Sequence, residues 1–593
     1  MDKKANTKIC IDVRTSEMLD GILITPRNRQ DRIELLRTLQ RNYPGVDIKN
    51  SASGFVVSSS QSDKLMLLDN ICDTHWFDDS CLFVSNRQLA QNAYTGIQKE
   101  IADIVNGKVA IAKERLAKHK DRLLSLDDHQ WINVAAMTLE DSFGMCIFDE
   151  QGAGKTVTFI HAYDILFEKD LVDFAIIIAP KSMVSEWKED FRKFMGDLYR
   201  VEVVIGDKQE KIKALSSGAD VLVTNFETIV SMENEIRSLI LRYGKRAVLV
   251  VDESFFIKSL DAKRTRALRR IREYCGRAFV LCGTPAPNSP HDLIQQFNIV
   301  DYGLTFDGLD IPDDRETAHP IIQNAIENSG IYIRHMKSQV MPDLPSKRFN
   351  RILVSLNPVQ QRLYKSALDG LILDLQATDD QGFNKQITSF LAKRNTLLQI
   401  CSNPARLIEG YAETPSKLEV LDELLGEIIG KKNEKVVLWS FYTHSLGTIY
   451  ERYKQYNPVR YDGSISSVDE RRKAIKNFQS DSTTMMFVGN PAAAGAGITL
   501  HRSHIAIYES MSNQAAHYLQ SLDRIHRRGQ TENVEYIVLL SEGTIEVSEY
   551  DRLMGKEQMA HDLLGDKEEH HLTREIMLTE LEEAKRIFGD KYD

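Results

Sequence analysis

Asp149-Glu-Gln-Gly-Ala-Gly-Lys-Thr156 is the stretch that decides the fold of this chain. It follows a short apolar run at residues 145–148 and precedes a run with helical character at residues 157–166. A strand, a glycine-rich turn and a helix form the setting of a phosphate-binding loop. Gly152 and Gly154 let the backbone curl so that N–H groups point inward, and the helix adds its positive N-terminal end.

Two residues of this loop are suited to a nucleotide and its metal ion. Lys155 would reach the β- and γ-phosphates, and the Thr156 hydroxyl would contact Mg²⁺. The longer phosphate-loop pattern has a glycine where this chain has Asp149, so only the short form Gly-x-Gly-Lys-Thr is present. On this stretch alone, a Gly-Lys turn of an α/β protein that binds no nucleotide is an equal alternative.

The composition predicts an intracellular protein of several domains without a membrane segment. At 593 residues the chain suggests about three or four domains. It has no apolar run of about eighteen residues and no apolar N-terminal signal. Seven scattered cysteines without a Cys-x-x-Cys pair indicate a reduced protein without a zinc site. The net charge of −10 argues against indiscriminate coating of nucleic acid but leaves room for a local basic cleft.

Short Val/Ile-rich runs alternate with helical stretches in two parts of the chain, which predicts an α/β fold with two parallel sheets flanked by helices. The first set lies at 145–148, 174–178, 201–205, 220–223, 247–251 and 278–281, and the second at 435–440, 458–461, 484–488, 504–508 and 534–539. We predict these segments: a small N-terminal α/β module at 1–85, a linker helix at 86–125, a first α/β lobe at 126–300, a helical insertion at 301–430 that includes the start of the second lobe, the second lobe at 431–545, and a helical C-terminal brace at 546–593.

The N-terminal module shows no spacing that indicates catalysis. Helical patterns at 32–39 and 63–69 flank two short predicted strands at 46–49 and 54–58. We interpret this module as a recruitment or scaffold unit, and therefore as a candidate site for a protein partner.

A second signal is the pair Asp252-Glu253 at the end of the apolar run 247–251. Asp252 is suited to hold Mg²⁺, and Glu253 is suited to orient or deprotonate a water molecule. A strand followed by an acidic turn is the simpler alternative. Because parallel strands end at the same edge of a sheet, this pair is expected beside the loop around Lys155.

Two further stretches are candidate functional motifs. Gly283-Thr-Pro285 forms a tight turn suited to connect a nucleotide site with a second site, although alone it is only a proline-rich turn. Gln520-Ser-Leu-Asp-Arg-Ile-His-Arg-Arg-Gly-Gln530 places Arg524 and Arg527 three residues apart, which predicts one face of a helix. Two such guanidinium groups suit a γ-phosphate, and a surface network of arginine and aspartate is the alternative.

In this order and spacing, the four stretches resemble the Swi/Snf-type ATPases of helicase superfamily two. Further stretches agree with the same family, and they lie at 126–130, 179–182 with Trp187, 224–227, 331–345, 397–404, 461–463 and 494–500. The Arg-Gly-Gln at 528–530 is more specific to this family than to helicases in general. The resemblance covers about 126–560.

The resemblance implies two RecA-like lobes with ATP and Mg²⁺ in the cleft between them. It implies these roles: Lys155, Asp252, Glu253, Arg524 and Arg527 in catalysis; Gln130, Asp149, Gly152, Ala153, Gly154, Lys155, Thr156, Gly497 and Gln520 in ATP binding; Thr156 and Asp252 in metal binding; and Lys181, Ser182, Thr224, Lys258 and Thr499 in DNA contacts. The basic stretch 258–270 is expected near DNA, with a solvent-facing basic helix as the alternative.

The implied activity is ATP-dependent movement along double-stranded DNA. The alternatives are an annealing or fork-remodelling helicase, a helicase that separates DNA or RNA strands, and a scaffold that binds ATP without hydrolysing it. The order of elements in the N-terminal module is faintly similar to the HepA-related-protein domain of annealing helicases. We expect a cytoplasmic, nucleoid-associated protein of a prokaryotic or phage-infected cell, or a nuclear protein if its source is eukaryotic.

Two positions depart from the family pattern. Phe255 stands where the family's Asp-Glu-x-His has histidine, and Cys282 stands where serine is common. Asp252 and Glu253 are retained, so metal binding and hydrolysis are expected to persist. The contact that the histidine makes with the rest of the cleft is therefore in doubt.

Overall fold

A computed structural model describes residues 8–15, 21–58, 61–62, 64–65, 68–257, 259, 262–286, 289–465, 467–493, 498–511, 515–559 and 573–592. The chain divides into two compact units, Met1–Val340 and Met341–Asp593. Within the described residues, the first unit contains two sheets and the second contains one. Among the described helices, none has the length and apolarity that crossing a membrane requires.

The first sheet of the first unit has five strands in the order β3-β4-β2-β1-β5 and is antiparallel except for the β1–β5 pair. Its elements are β1 Cys10–Thr15, β2 Gly21–Pro26, α1 Arg32–Asn42, β3 Ile48–Asn50, β4 Phe55–Ser58, α2 Leu68–Ile71 and β5 Asp73–Trp76. Strand β1 alternates buried Ile11 and Val13 with outward polar residues, so one face of the sheet forms the core.

The sequence analysis finds α1, β3 and β4 in this sheet but misses β1, β2 and β5. In β1 and β5, polar residues interrupt the apolar pattern, whereas β2 is a largely apolar run of six residues that its pattern could have shown. Of the helix predicted at 63–69, residues 63, 66 and 67 lie outside the described residues, and α2 begins at Leu68.

The predicted linker helix at 86–125 is two helices, α3 Asp78–Asn106 and α4 Lys108–Arg115, followed by a 3-10 turn at Ala117–Arg122. Lys108 has a positive φ of 53°, which ends the continuous helix after Gly107. Helix α3 is docked rather than free, because buried Arg87 donates to Tyr302 O at 2.6 Å and to Asp307 Oδ2 at 2.7 Å. Ile97, Ile101, Ile104 and Ala112 are buried, as their spacing predicts.

The second sheet of the first unit has seven parallel strands in the order β12-β6-β11-β10-β7-β9-β8. The strands are β6 Gly144–Ile147, β7 Phe174–Ile178, β8 Val201–Val204, β9 Val221–Thr224, β10 Ala247–Asp252, β11 Arg277–Leu281 and β12 Tyr332–Ile333. The helices are α5 Asp128–Met137, α6 Lys155–Glu168, α7 Val184–Met195, α8 Lys208–Leu215, α9 Phe226–Ser231, α10 Glu233–Ile240, α11 Lys263–Arg272, α12 Asp292–Asp301, α13 Arg315–Ser329 and α14 Lys337–Val340. The sequence analysis ends the first lobe at residue 300. Strand β12 belongs to the same sheet but lies beyond that boundary, at Tyr332–Ile333.

The second unit has six parallel strands in the order β13-β18-β17-β14-β16-β15. The strands are β13 Lys347–Val354, β14 Val436–Trp439, β15 Pro458–Tyr461, β16 Met486–Gly489, β17 Ile505–Tyr508 and β18 Val534–Ser541. The helices are α15 Pro358–Gln376, α16 Asp380–Ser402, α17 Ser416–Leu425, α18 Thr443–Arg452, α19 Val468–Ser480, α20 Ala515–Leu522, α21 Ile545–Met559 and α22 Arg574–Tyr592. Strand β13 lies in a stretch predicted as helical, and its charged residues Lys347, Arg348 and Arg351 obscure the apolar pattern of a strand.

The C-terminal helix α22 is part of the core of the second unit. It packs on α15 and α16 in one buried apolar cluster. Phe588 stacks on Tyr364 with 5.0 Å between ring centroids, and Leu356 N donates to the Tyr592 hydroxyl at 3.0 Å. The end of the described chain is therefore fastened to the insertion helices.

Replacing Phe588 is expected to destabilise the second unit, because its side chain is only 3% exposed in this cluster. Phe588→Ala should lower the free energy of unfolding by about 3 kcal/mol. Ile587→Ala is the control on the same helix, since Ile587 is 44% exposed, and it should change that energy by less than about 0.5 kcal/mol. Urea unfolding of both variants provides the measurement, and equal losses would contradict the packing of α22.

Candidate nucleotide site

The predicted phosphate loop joins β6 to α6, and glycine is required in it. Gly152 and Gly154 both have a φ of +86°, a conformation that other residues rarely adopt. A Cβ atom on Gly154 would lie 2.3 Å from Gln130 Nε2, so a side chain at this position would displace that glutamine. Gln130 Nε2 donates to Ala153 O at 3.3 Å, which places this predicted ATP-binding glutamine of α5 directly against the loop. Thr156 is half-buried in the first turn of α6.

Asp149 orders the loop through contacts that the sequence analysis does not anticipate. Its buried carboxylate accepts hydrogen bonds from Asn133 Nδ2 at 2.6 Å and from His335 N at 2.9 Å. Its carbonyl oxygen accepts from Lys155 Nζ at 2.9 Å. Asp149 therefore supports the loop through hydrogen bonds within the protein, and its part in ATP binding stays a prediction.

Strand β11 lies between β6 and β10 in the sheet. The loop after β6 and the acidic pair at the end of β10 therefore lie at the same edge of the sheet, two strands apart. Gln151 Nε2 donates to Glu253 Oε1 at 2.9 Å, which joins the loop to the end of β10. Trp187 Nε1 of α7 donates to Asp252 Oδ2 at 2.9 Å. Glu253 has a φ of +50°, so the chain turns sharply where the pair is presented. The structure therefore brings Lys155, Asp252 and Glu253 into one site.

The electrostatics of this pair favour a cation. Burial first, and then the neighbouring Glu253 charge, raise the pKa of the Asp252 carboxyl to about 7, while the Trp187 hydrogen bond and the Lys155 charge oppose the rise. Glu253 Oε2 is buried and has no hydrogen-bond partner among the described residues. A buried acceptor without a partner is costly, so it is available to a ligand or to water.

These residues fit a Mg²⁺ ion that also contacts a nucleotide. Among the described residues no group of three or more His, Cys, Asp or Glu side chains could hold a metal alone. Mg²⁺ takes few protein ligands and completes its shell with water and phosphate oxygens. Asp252 and the Thr156 hydroxyl would supply the protein's share.

The predicted turn Gly283-Thr-Pro285 contacts the same site. A Cβ atom on Gly283 would lie 2.6 Å from Gln151 Oε1 and 2.9 Å from Gln151 N, so glycine is needed for this approach. Ser254 Oγ donates to Gln296 Oε1 at 2.5 Å, and Gln296 Nε2 donates to Pro285 O at 2.5 Å. Buried Gln296 of α12 thus ties the residue after Glu253 to this turn.

The two departures from the family pattern are both buried. Phe255 stacks on Phe256 with 4.5 Å between centroids, and Phe256 lies 5.3 Å from Phe226 at the start of α9. An aromatic contact therefore joins the end of β10 to the segment after β9. Burial raises the pKa of the Cys282 thiol to about 12, so this residue remains a neutral thiol.

The predicted arginines belong to the second unit and do not lie on a helix. Helix α20 ends at Leu522, and Arg524 and Arg527 follow in turns, so the prediction of one helical face is wrong. The Nη1 atoms of both arginines nevertheless approach Ile498 O at 3.4 Å. The turn brings them together because Arg524 N bonds Ser521 O, a tighter spacing than that of an α-helix.

The remaining predicted ATP-binding residues divide between buried positions and positions outside the described chain. Gln520 is buried on α20, and Gly497 lies outside the described residues.

Gln530, the last residue of Arg-Gly-Gln, has a structural role. Its Nε2 donates to Ser503 O at 2.9 Å, and its Oε1 accepts from Thr531 N at 3.0 Å, so it closes the loop that carries the arginines.

The predicted DNA contacts differ in accessibility. Lys181 is exposed and Ser182 is half-buried. Thr224 is fully buried, and its hydroxyl donates to Val204 O at 2.9 Å, so its DNA contact stays a prediction from the sequence. The Thr499 hydroxyl accepts from Arg527 Nη1 at 2.9 Å, and Lys258 lies outside the described residues.

Asn133, His335 and Gln296 are candidate functional residues that the sequence analysis missed. Asn133 and Gln296 stand within largely apolar helical runs, and a buried amide in such a run signals a specific hydrogen-bond partner. His335 follows an edge strand of two residues, which is too short to recognise from its pattern.

Comparison with known proteins places these observations in a family. The SNF2-related domain matches residues 124–406, and the helicase conserved C-terminal domain matches residues 416–529. An uncharacterized ATP-dependent helicase of Mycoplasma pneumoniae is 28% identical over 421 residues, which cover 69% of this chain and 39% of that protein. The ISWI chromatin-remodeling complex ATPase of Saccharomyces cerevisiae is 26% identical over 464 residues, covering 72% and 39%.

The DNA repair and recombination protein RAD54B of Gallus gallus is 25% identical over 517 residues, covering 77% of this chain and 55% of that protein. The matched region thus spans 39% to 55% of the length of these relatives. The solved SWI2/SNF2 ATPase core of Sulfolobus solfataricus in complex with dsDNA is 23% identical, covers 74% of this chain and 93% of that one, and has a TM-score of 0.35. On the two domain matches and the relatives, the chain belongs to the SNF2-related, Swi/Snf-type family of helicase superfamily two.

Proposed function

We propose that this protein hydrolyses ATP to move along double-stranded DNA and so remodels DNA or protein–DNA complexes. The observation that carries the proposal is the hydrogen bond between Gln151 and Glu253, which sets the phosphate loop beside the acidic pair. The choice of DNA is supported by the relatives named for chromatin remodelling and for DNA repair.

In this proposal, each side chain of the nucleotide site in the first unit has a separate task. Lys155 directs the N–H donors that it does not use on Asp149 O to a phosphate oxygen and neutralises charge there. Glu253 accepts a proton from the attacking water, or orients it, through Oε2, which has no partner in the part of the chain that the structure describes. Bound Mg²⁺, held by Thr156 and Asp252, would supply positive charge to the phosphates. Arg524 and Arg527 of the second unit are proposed to stabilise the charge that develops on the γ-phosphate.

Movement along DNA is proposed to use contacts with the phosphate backbone. Such contacts carry no sequence information and weaken as salt rises. Exposed Lys181 and half-buried Ser182 are the best placed of the predicted DNA contacts in the first unit. Lys258 remains a candidate from the sequence alone.

ATP turnover in the presence of different nucleic acids tests the proposal. Duplex DNA should stimulate hydrolysis more strongly than single-stranded DNA or RNA. Lys155→Ala and Glu253→Gln should each lower turnover by at least about 100-fold, and Glu253→Gln should retain ATP binding because only the water-activating group changes. Stimulation by RNA alone would contradict the choice of duplex DNA. ATP binding without any hydrolysis would favour the scaffold alternative.

Trp187 is expected to lower the pKa of Asp252 in the acidic pair through its hydrogen bond. Trp187→Phe removes the N–H that lowers the pKa of Asp252, so that pKa rises further and less carboxylate is ionised at a given pH. The acid limb of the turnover–pH profile should therefore move to higher pH, and turnover at neutral pH should fall about 10-fold.

Trp76→Phe is the matched control for this substitution. Trp76 Nε1 donates to Asp69 Oδ1 at 2.9 Å in the N-terminal sheet, outside the candidate site. Its loss should leave the turnover–pH profile unchanged. An acid limb at the same pH in Trp187→Phe and in the wild type would show that Trp187 does not act on Asp252.

A further inference from the structure

The segment at residues 331–337, which we call the strap, runs beside the first residues of the phosphate loop. Strand β12 pairs with β6, and the hydrogen bonding continues beyond the end of both strands. The N–H groups of Cys146, Phe148 and Glu150 donate to Ile331 O at 3.0 Å, Ile333 O at 2.8 Å and His335 O at 2.9 Å. The strap therefore follows the chain into the loop rather than ending with the sheet.

Side chains of the loop return hydrogen bonds to the strap. Asp149 Oδ1 accepts from His335 N at 2.9 Å and lies 2.8 Å from the His335 ring Nδ1. Glu150 Oε2 accepts from Lys337 N at 2.7 Å. Asn133 Nδ2 occupies the other carboxylate oxygen of Asp149 at 2.6 Å. Because Asp149 is only 1% exposed, its carboxylate depends on these donors in place of water.

The same residue holds the lysine of the loop. Lys155 Nζ donates to Asp149 O at 2.9 Å, so the strap, Asp149 and Lys155 form a continuous chain of hydrogen bonds. Lys155 Nζ has three N–H donors, so a phosphate can bind the remaining donors while one holds Asp149 O, and nucleotide binding therefore acts on Asp149 through this shared ammonium group. A change at Asp149 then reaches His335, and the second compact unit begins soon after the strap, at Met341.

We propose that the strap positions the nucleotide loop, that His335 is the positioning residue acting through Asp149 on Lys155, and that the strap responds when nucleotide enters. The proposal rests on the proposed function only in that the loop binds a nucleotide. His335 does not contact the nucleotide. Its task is to keep a buried carboxylate in one orientation, so that the lysine and the N–H groups of the loop are set before binding.

Nucleotide affinity of three variants tests the positioning role. His335→Ala removes the ring donor and should weaken binding of a fluorescent ADP analogue about 10-fold, with a similar rise in KM for ATP and a smaller change in kcat. His335→Asn should restore most of the affinity, because its amide N–H can replace Nδ1–H. Ser338→Ala, at an exposed position just past the strap, should bind the analogue as the wild type does.

Two results would overturn the positioning role. One is unchanged affinity in His335→Ala, and the other is an equal loss in His335→Ala and His335→Asn at unchanged melting temperature. Loss of DNA-stimulated hydrolysis with the affinity pattern intact would overturn the proposed function and leave this inference standing. Normal DNA-stimulated hydrolysis together with normal nucleotide affinity in His335→Ala would overturn this inference and leave the proposed function standing.

Hydrogen exchange in the wild type tests the response of the strap without any substitution. The amide protons of His335 and Lys337 bond to loop carboxylates, so their exchange rates should fall when a non-hydrolysable ATP analogue binds. Residues of α22, such as Phe588, provide a reference that should not change. Protection confined to the loop at residues 150–156, with unchanged rates in the strap, would contradict the proposal.

Discussion

The close approach of Gly283 to Gln151 is the constraint on which the candidate site depends. Strands β6, β11 and β10 are neighbours, so the segments that follow them leave the sheet at one edge. Any side chain at residue 283 would meet Gln151 within 3 Å and push the loop away from the end of β11. Because the turn stays close, Gln151 also reaches Glu253, and one glutamine connects three strand ends.

In the second unit, the acidic residue that follows β17 has its hydrogen bonds satisfied within the protein. Glu509 follows β17 and is fully buried, where it accepts from Ser402 Oγ at 2.6 Å and from Ser440 Oγ at 2.8 Å. Buried Lys417 donates to Glu546 Oε1 at 2.6 Å. Such a network fixes packing, but its groups are taken up by one another. In the first unit, Glu253 Oε2 follows β10 and is without a partner among the described residues, which leaves this carboxylate open to a ligand or to water.

The sequence predicts the parts of the fold that depend on local pattern. Strand β10 is apolar over its whole length before Asp252, and its position after a glycine loop identifies the acidic pair. Residues that act through long-range contacts escape such reasoning, since Asp149 and His335 are 186 positions apart in the chain. The helical face expected for Arg524 and Arg527 is wrong because sequence spacing alone does not show that α20 ends at Leu522.

Displacement of a third strand from duplex DNA tests movement along the duplex most directly. A triplex-forming oligonucleotide is placed on a long duplex, and its release is followed with protein and ATP present. The account predicts release that requires ATP hydrolysis, fails with Glu253→Gln, and leaves the two duplex strands paired. ATP hydrolysis stimulated by duplex DNA without release of the third strand would contradict it, as would release that proceeds only through separation of the duplex.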